Sequence, residues 1–136
     1  MARIVQLSEA SSLALHAMIY LATEERASIS VKECSAALGA SEAHMAKVVQ
    51  HLSKAGLVNT TRGAKGGVSL ARRPEEITYL EIYEVMEGRL VSERCLLRDE
   101  GKCPFASCIF GDALEKMAGE IRQKFAETYL SDNLRA

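Results

Sequence analysis

Glycines at position 39, at position 56 and clustered at 63, 66 and 67 divide the middle of this 136-residue chain into segments whose apolar spacing changes from helical to alternating. Ser30, followed three residues later by Glu33, has the pattern of a capping box, and Val31, Cys34 and Leu38 give the short helix after it one apolar stripe. Gly39 ends that helix and Ser41 caps the next, in which Met45, Val48, Val49 and Leu52 face inward while Lys47 and Lys54 face out. Gly56 stops this third helix. The runs 57–61 and 68–70 then alternate like short strands, with Arg62-Gly63-Ala64-Lys65-Gly66-Gly67 supplying the glycines of a hairpin tip. Two helices joined by the turn Leu38-Gly39-Ala40-Ser41 read as a helix-turn-helix, and a glycine-rich hairpin directly behind it makes the pattern that of a winged helix.

The flanking segments complete a mainly α chain with one small β-hairpin. From Ser8, the residues Leu13, Ala14, Ala17, Met18, Leu21 and Ala22 recur at helical spacing and predict a first helix of about four turns. Pro74 closes the winged segment, and Ile77, Leu80, Ile82, Tyr83, Val85 and Met86 predict a short helix ending at Gly88. The stretch from Arg89 to Ser107 has no periodicity. A long C-terminal helix follows, with Phe110, Leu114, Met117, Ile121 and Phe125 on one stripe. So small a fold cannot cover that much apolar face, so the stripe is expected to pair with its counterpart in a homodimer. The expected organisation is a winged helix-turn-helix over residues 1–76 and a cysteine-containing sensor loop with a dimerisation helix over 77–136, together one compact unit.

Charge is placed unevenly. The whole chain has 17 Lys and Arg against 18 Asp and Glu, yet the run from Ala43 to Arg73 holds Lys47, Lys54, Arg62, Lys65, Arg72 and Arg73 and no acidic residue. A basic patch inside an otherwise acidic chain is the footprint of a surface that meets phosphates. In a winged helix the start of the third helix enters the major groove. That places Ser41, Glu42, Ala43, His44 and Lys47 near base edges and phosphates, with Arg62 and Lys65 on the wing. Double-stranded DNA is the expected partner, and two copies in a dimer imply a palindromic operator. The most apolar stretch, Leu13 to Ala22, is too short to span a bilayer and is interrupted by His16, and the N-terminus lacks a signal-type apolar run, so no membrane role is expected and the cytoplasm is the expected compartment. No Cys-x-x-Cys pair and no nucleotide-binding glycine loop supports an enzyme.

Cys95, Cys103 and Cys108 are spaced C-x7-C-x4-C. Clustered thiols in a chain expected in the cytoplasm suggest a soft-metal site, an iron-sulfur cluster first, with zinc, thiol redox chemistry or unligated thiols as the other readings. Three thiols are one ligand short of four. Cys34, between Val31 and Leu38 on an apolar stripe, reads as a buried structural thiol.

The run Ala43-His44-Met45-Ala46-Lys47, then Leu52-Ser53-Lys54-Ala55-Gly56-Leu57-Val58, then Arg62-Gly63-Ala64-Lys65-Gly66-Gly67, with three cysteines following, closely resembles the cysteine-bearing winged-helix regulators that include the iron-sulfur cluster regulator IscR and the nitrite-sensitive repressor NsrR. The resemblance extends from Leu7 to about Tyr129. It implies a homodimeric repressor with crossed C-terminal helices that senses iron-sulfur status, redox state or nitric oxide through a 2Fe-2S or 4Fe-4S cluster on Cys95, Cys103 and Cys108. It also implies a fourth ligand that varies among members and can come from the first helix of the second subunit. Where one type of member carries Asp, this chain has Ser12; His16 stands where another type carries His, and Glu9 and Asp112 are further oxygen donors. The alternatives are a cluster-free winged-helix regulator working by thiol oxidation or through protein partners, and a zinc-stabilised interaction module.

Overall fold

Helix α1 (Glu9–Thr23) begins at Ser8, whose hydroxyl accepts from the Ser11 backbone N–H, and it buries Leu13, Ala14, Ala17, Met18 and Leu21. The computed structural model describes residues 7–63, 66–90, 105–107 and 109–134. Ala14 and Ala17 are essentially inaccessible. Their small side chains let other elements approach the axis of α1, which packs against the third and fourth helices, the hairpin and the C-terminal segment.

Helix α2 (Val31–Ala37) is capped by Ser30, whose hydroxyl accepts from the Glu33 N–H. Only this half of the expected capping box is made, because the Glu33 carboxylate pairs instead with Arg26 at 2.9 Å. Gly39 takes φ +66°, a left-handed conformation that ends the helix without strain only for glycine. Helix α3 (Glu42–Lys54) follows with Ser41 as its cap, and its buried residues are Met45, Val48, Val49 and Leu52, as the spacing predicts. Cys34 is 1% exposed in the core beside them, and burial pushes its thiol pKa up, consistent with a structural role.

Strands β1 (Val58–Thr60) and β2 (Val68–Leu70) pair antiparallel with Val58 opposite Leu70 and Thr60 opposite Val68. Ile29, in the loop between α1 and α2, adds a further bridge to Val68 through bonds of 3.1 and 2.7 Å. That bridge fixes the wing to the head, and it explains Gly67. A Cβ there would lie 2.5 Å from the Ile29 carbonyl oxygen, so close backbone approach, rather than turn geometry, demands the glycine.

Pro74 opens a 3-10 turn (Pro74–Glu76) that leads into helix α4 (Tyr79–Glu87). Thr78 and Glu81 form a full capping box at its start, and Gly88, φ +82°, closes it. Helix α5 (Ala113–Glu127) starts after Phe110, so Phe110 lies in the preceding turn and the apolar stripe of the helix proper begins at Leu114. The C-terminal half of that stripe is covered within the chain: Phe125 meets Tyr83 and Tyr79 edge-on at ring-centroid distances of 5.8 and 6.3 Å, and Ile121 packs on the same small cluster. Toward the other end Leu114 is half-buried, but Met117 remains 49% exposed and Phe110 is exposed as well.

A second 3-10 segment (Leu130–Leu134) turns back onto the head. Leu130 is fully buried in the same core as Met18, Met45, Ile77 and Ile82, its N–H donating to the Ile77 carbonyl at 3.0 Å. No helix among the described residues is long and apolar enough to cross a membrane.

Candidate nucleic-acid interface

The core face of α3 determines what the opposite face offers. Residues Ala43, Ala46, Lys47, Gln50, His51 and Lys54 are all exposed. At the helix start the Ser41 hydroxyl accepts from the His44 N–H at 3.1 Å, while Ser41, Glu42 and Ala43 are exposed and His44 is half-buried. The first N–H groups of α3, which no preceding turn can satisfy, therefore lie beside an exposed surface, an arrangement that favours a phosphate. Arg62 is exposed on the wing, and Lys65 lies outside the described residues.

Ion pairing narrows the basic run. Arg72 bonds Glu81 at 2.8 Å and Arg73 lies 3.5 Å from Glu75, so acidic residues further along the chain neutralise the last two cations of the segment. The Glu81 carboxyl is held below its ordinary value: partial burial works to raise it, but the Arg72 guanidinium and the Thr78 N–H outweigh that. Lys47, Lys54 and Arg62 have no ion-pair partner among the described residues and remain free to meet an anion.

His16 is exposed on α1, with Nδ1 2.6 Å from the Ser12 carbonyl oxygen. A carbonyl oxygen only accepts, so Nδ1 is the donor in that contact, and Nε2 makes no hydrogen bond among the described residues. Glu9, Ser12 and His16 line a groove of about 530 Å³ whose opposite wall is Leu38, Gly39, Ala40, Ser41 and His44. The ligand candidates of α1 thus share one cleft with the turn and the start of α3. Asp112, at the entry to α5, is instead engaged with Lys116 at 3.1 Å. Cys95, Cys103 and Cys108 lie outside the described residues, among which no group of three or more His, Cys, Asp or Glu is placed to hold a metal.

Two features escaped the sequence reading. Gln50 shares the outward face of α3 with Lys47, a position the helical period itself could have supplied. The Glu87 carboxylate, at the last residue of α4, accepts from the Ser8 N–H at 3.2 Å and from the hydroxyls of Ser8 and Ser11. It ties the start of α1 to the point where the chain leaves α4 for the cysteine segment, and only the tertiary fold brings these residues together.

A winged helix with free cations on its third helix and wing is the geometry of a DNA reader, and the comparison with known proteins agrees. Residues 7–136 match the Rrf2 family, described as iron-dependent transcriptional regulators. The chain belongs to the Rrf2 family. It is a DNA-binding transcription regulator of the winged-helix type, not an enzyme. Among its relatives, the HTH-type transcriptional regulator NsrR of Geobacillus kaustophilus is 33% identical over 100 residues, 73% of this chain and 68% of the relative. The structure of IscR from T. potens superposes with a TM-score of 0.76 at 28% identity, covering 96% of this chain and 87% of that one. The oxidized form of CymR from Staphylococcus aureus gives 0.77 at 26% identity, covering 97% and 98%.

Proposed function

We propose that this Rrf2 protein is a homodimeric repressor that grips a palindromic operator with Ser41, Glu42, Ala43, His44 and Lys47 of α3 and with Arg62 and Lys65 of the wing. The observation that carries the reading is the exposed start of α3 together with Lys47 and Arg62, cations that no carboxylate neutralises among the described residues. Dimerisation is supported by Met117, Phe110, Ile109 and Phe105, which are 44–76% exposed along and before α5 and would be covered by a second copy. A protein that binds operator DNA in this way works in the cytoplasm.

In this reading Cys95, Cys103 and Cys108, with Nε2 of His16 as fourth ligand, hold an iron-sulfur cluster as 2Fe-2S or 4Fe-4S, which supplies sensitivity to iron supply, oxidants or nitric oxide. The family description as iron-dependent and the free Nε2 of His16 support it. The residues of the chain that carry the signal are those of the α1 cleft, where His16 faces the Leu38–Ser41 turn, and the Glu87 bonds to Ser8 and Ser11. A coupling of about 1–3 kcal/mol through these contacts changes operator affinity by roughly 5- to 150-fold.

The DNA reading is tested by titrating duplex DNA over a range of salt. Affinity should fall by roughly 0.9 log units per phosphate contact for each log unit of salt, and absence of binding at low salt in both metallated and metal-free protein removes the reading. The cluster is tested separately by iron, sulfide and visible absorption of anaerobically purified protein, with Cys95→Ser as control. A second reading, in which the thiols respond to oxidation without a cluster, is favoured by the likeness to a CymR solved in an oxidized form. It predicts a colourless protein with a reversible Cys103–Cys108 disulfide.

A further inference from the structure

We infer that Gln50 of α3 is a specificity-determining residue that selects an adenine–thymine pair in the major groove; the inference rests on the DNA-binding reading above. The buried residues Met45, Val48, Val49 and Leu52 define the inward direction of α3. At about 100° per residue, the positions opposite them are Ala43, Lys47, Gln50 and Lys54, and all four are exposed. Glu42 and His44 lie to the flanks, and His44 is half-buried.

The chemistry of the outward line singles out one residue. Ala43 makes no hydrogen bond through its side chain, and Lys47 and Lys54 carry ammonium groups, which donate but do not accept. Gln50 alone on that line offers a donor and an acceptor together. Adenine presents the complementary pair in the major groove, an acceptor at N7 and a donor at N6, and a glutamine amide meets both. Among the described residues the Gln50 amide has no hydrogen-bond partner, so contacting a base breaks nothing in the fold.

The neighbours clear its approach. Helix side chains lean toward the N-terminus, so Gln50 extends over the turn that carries Ala46, with Ala43 one turn beyond. Both alanines are exposed and end at Cβ, leaving a shallow strip beside the amide. That strip lets the helix sit deep in the groove, and an alanine methyl is the apolar surface suited to the thymine methyl. Lys47, one turn before Gln50 on the other side of the outward line, is left for a phosphate or a guanine.

The test is selection from a random-sequence duplex pool, with anaerobically purified full-length protein and a chelated sample run in parallel. Wild type and Gln50→Ala are compared, and affinities for the enriched site and its single-pair variants are then measured by fluorescence anisotropy at one salt concentration. Alanine at an exposed helical position favours the helix, so the variant should fold. Wild type should enrich a two-fold symmetric site. The variant should enrich the same site except at one mirrored A·T position, where discrimination falls by roughly 5- to 140-fold, the equivalent of about 1–3 kcal/mol. Its affinity for random DNA should be unchanged, because no charge is lost. An unaltered preference at every position overturns the inference. So does salt-dependent binding by wild type with no sequence enriched, an outcome that leaves the DNA-binding reading standing. No duplex binding at low salt by either sample overturns both.

Discussion

Replacing Leu130 with alanine tests whether the C-terminal segment is an integral part of the DNA-reading head. Leu130 is 0% exposed and sits against the Ile77 backbone in the core that also holds Met18, Met45 and Ile82. The substitution removes three buried carbons, worth about 2.4 kcal/mol at ~0.8 kcal/mol each, and incomplete collapse of the site adds about 1 kcal/mol. The expected loss is therefore about 3 kcal/mol, which lowers Tm by roughly 10 °C in a chain of this size. Urea and thermal unfolding followed by circular dichroism measure it, at one fixed protein concentration because the dimer proposed above would make Tm depend on concentration. Leu134→Ala is the internal control. Leu134 lies in the same 3-10 segment but is 38% exposed, so it should cost less than about 1 kcal/mol. If the two variants lose equal stability, the segment is not seated in the head and the argument for a single shared core fails.

Four further outcomes follow from individual contacts. Arg62→Ala should reduce the slope of log affinity against log salt by about 0.9 if the guanidinium meets one phosphate, measured by anisotropy over a salt series. Gly67→Ala forces a Cβ to 2.5 Å from the Ile29 carbonyl oxygen, so the wing must shift; DNA binding should weaken and the Ile29 and Val68 amide protons should exchange faster with solvent. Glu81, whose carboxyl is held below the ordinary 4.5, adds stability that is present above that value and lost as pH falls through its lower folded value. Glu81→Gln should flatten that acid limb and, by weakening the α4 capping box, cost about 1 kcal/mol at neutral pH. Glu87→Ala leaves the inaccessible Ser11 hydroxyl without its carboxylate acceptor and should cost about 1–3 kcal/mol, whereas Glu87→Gln, which keeps an acceptor oxygen, should cost less; urea denaturation decides between them.

The helix-turn-helix and wing were legible because each boundary is enforced locally. Ser30 and Ser41 satisfy N–H groups that any helix start leaves open, and Gly39 and Gly56 adopt positive φ where the helices end. The spacing of Met45, Val48, Val49 and Leu52 fixed which face of α3 is buried, and with it which residues remain for a ligand. The Thr78–Glu81 capping box could have been read in the same way and was overlooked.

Long-range partners were not legible. Glu33 reads as half of a capping box until Arg26 competes for it, and the basic run looks uniform until Glu81 and Glu75 claim Arg72 and Arg73. The stripe from Phe110 to Phe125 reads as one seam, yet Tyr79 and Tyr83 cover its end within the chain while Met117 is left exposed. Sequence alone determined the order of helices, the hairpin and the outward cations Lys47 and Lys54 of α3, since these follow from caps, periodicity and charge within a few residues. Tertiary structure decided that Leu130 returns to the first core, that Glu87 reaches Ser8 and Ser11, and that His16 shares a cleft with the α3 cap. Those contacts join residues far apart in the chain, and packing in three dimensions, rather than any local preference, selects them.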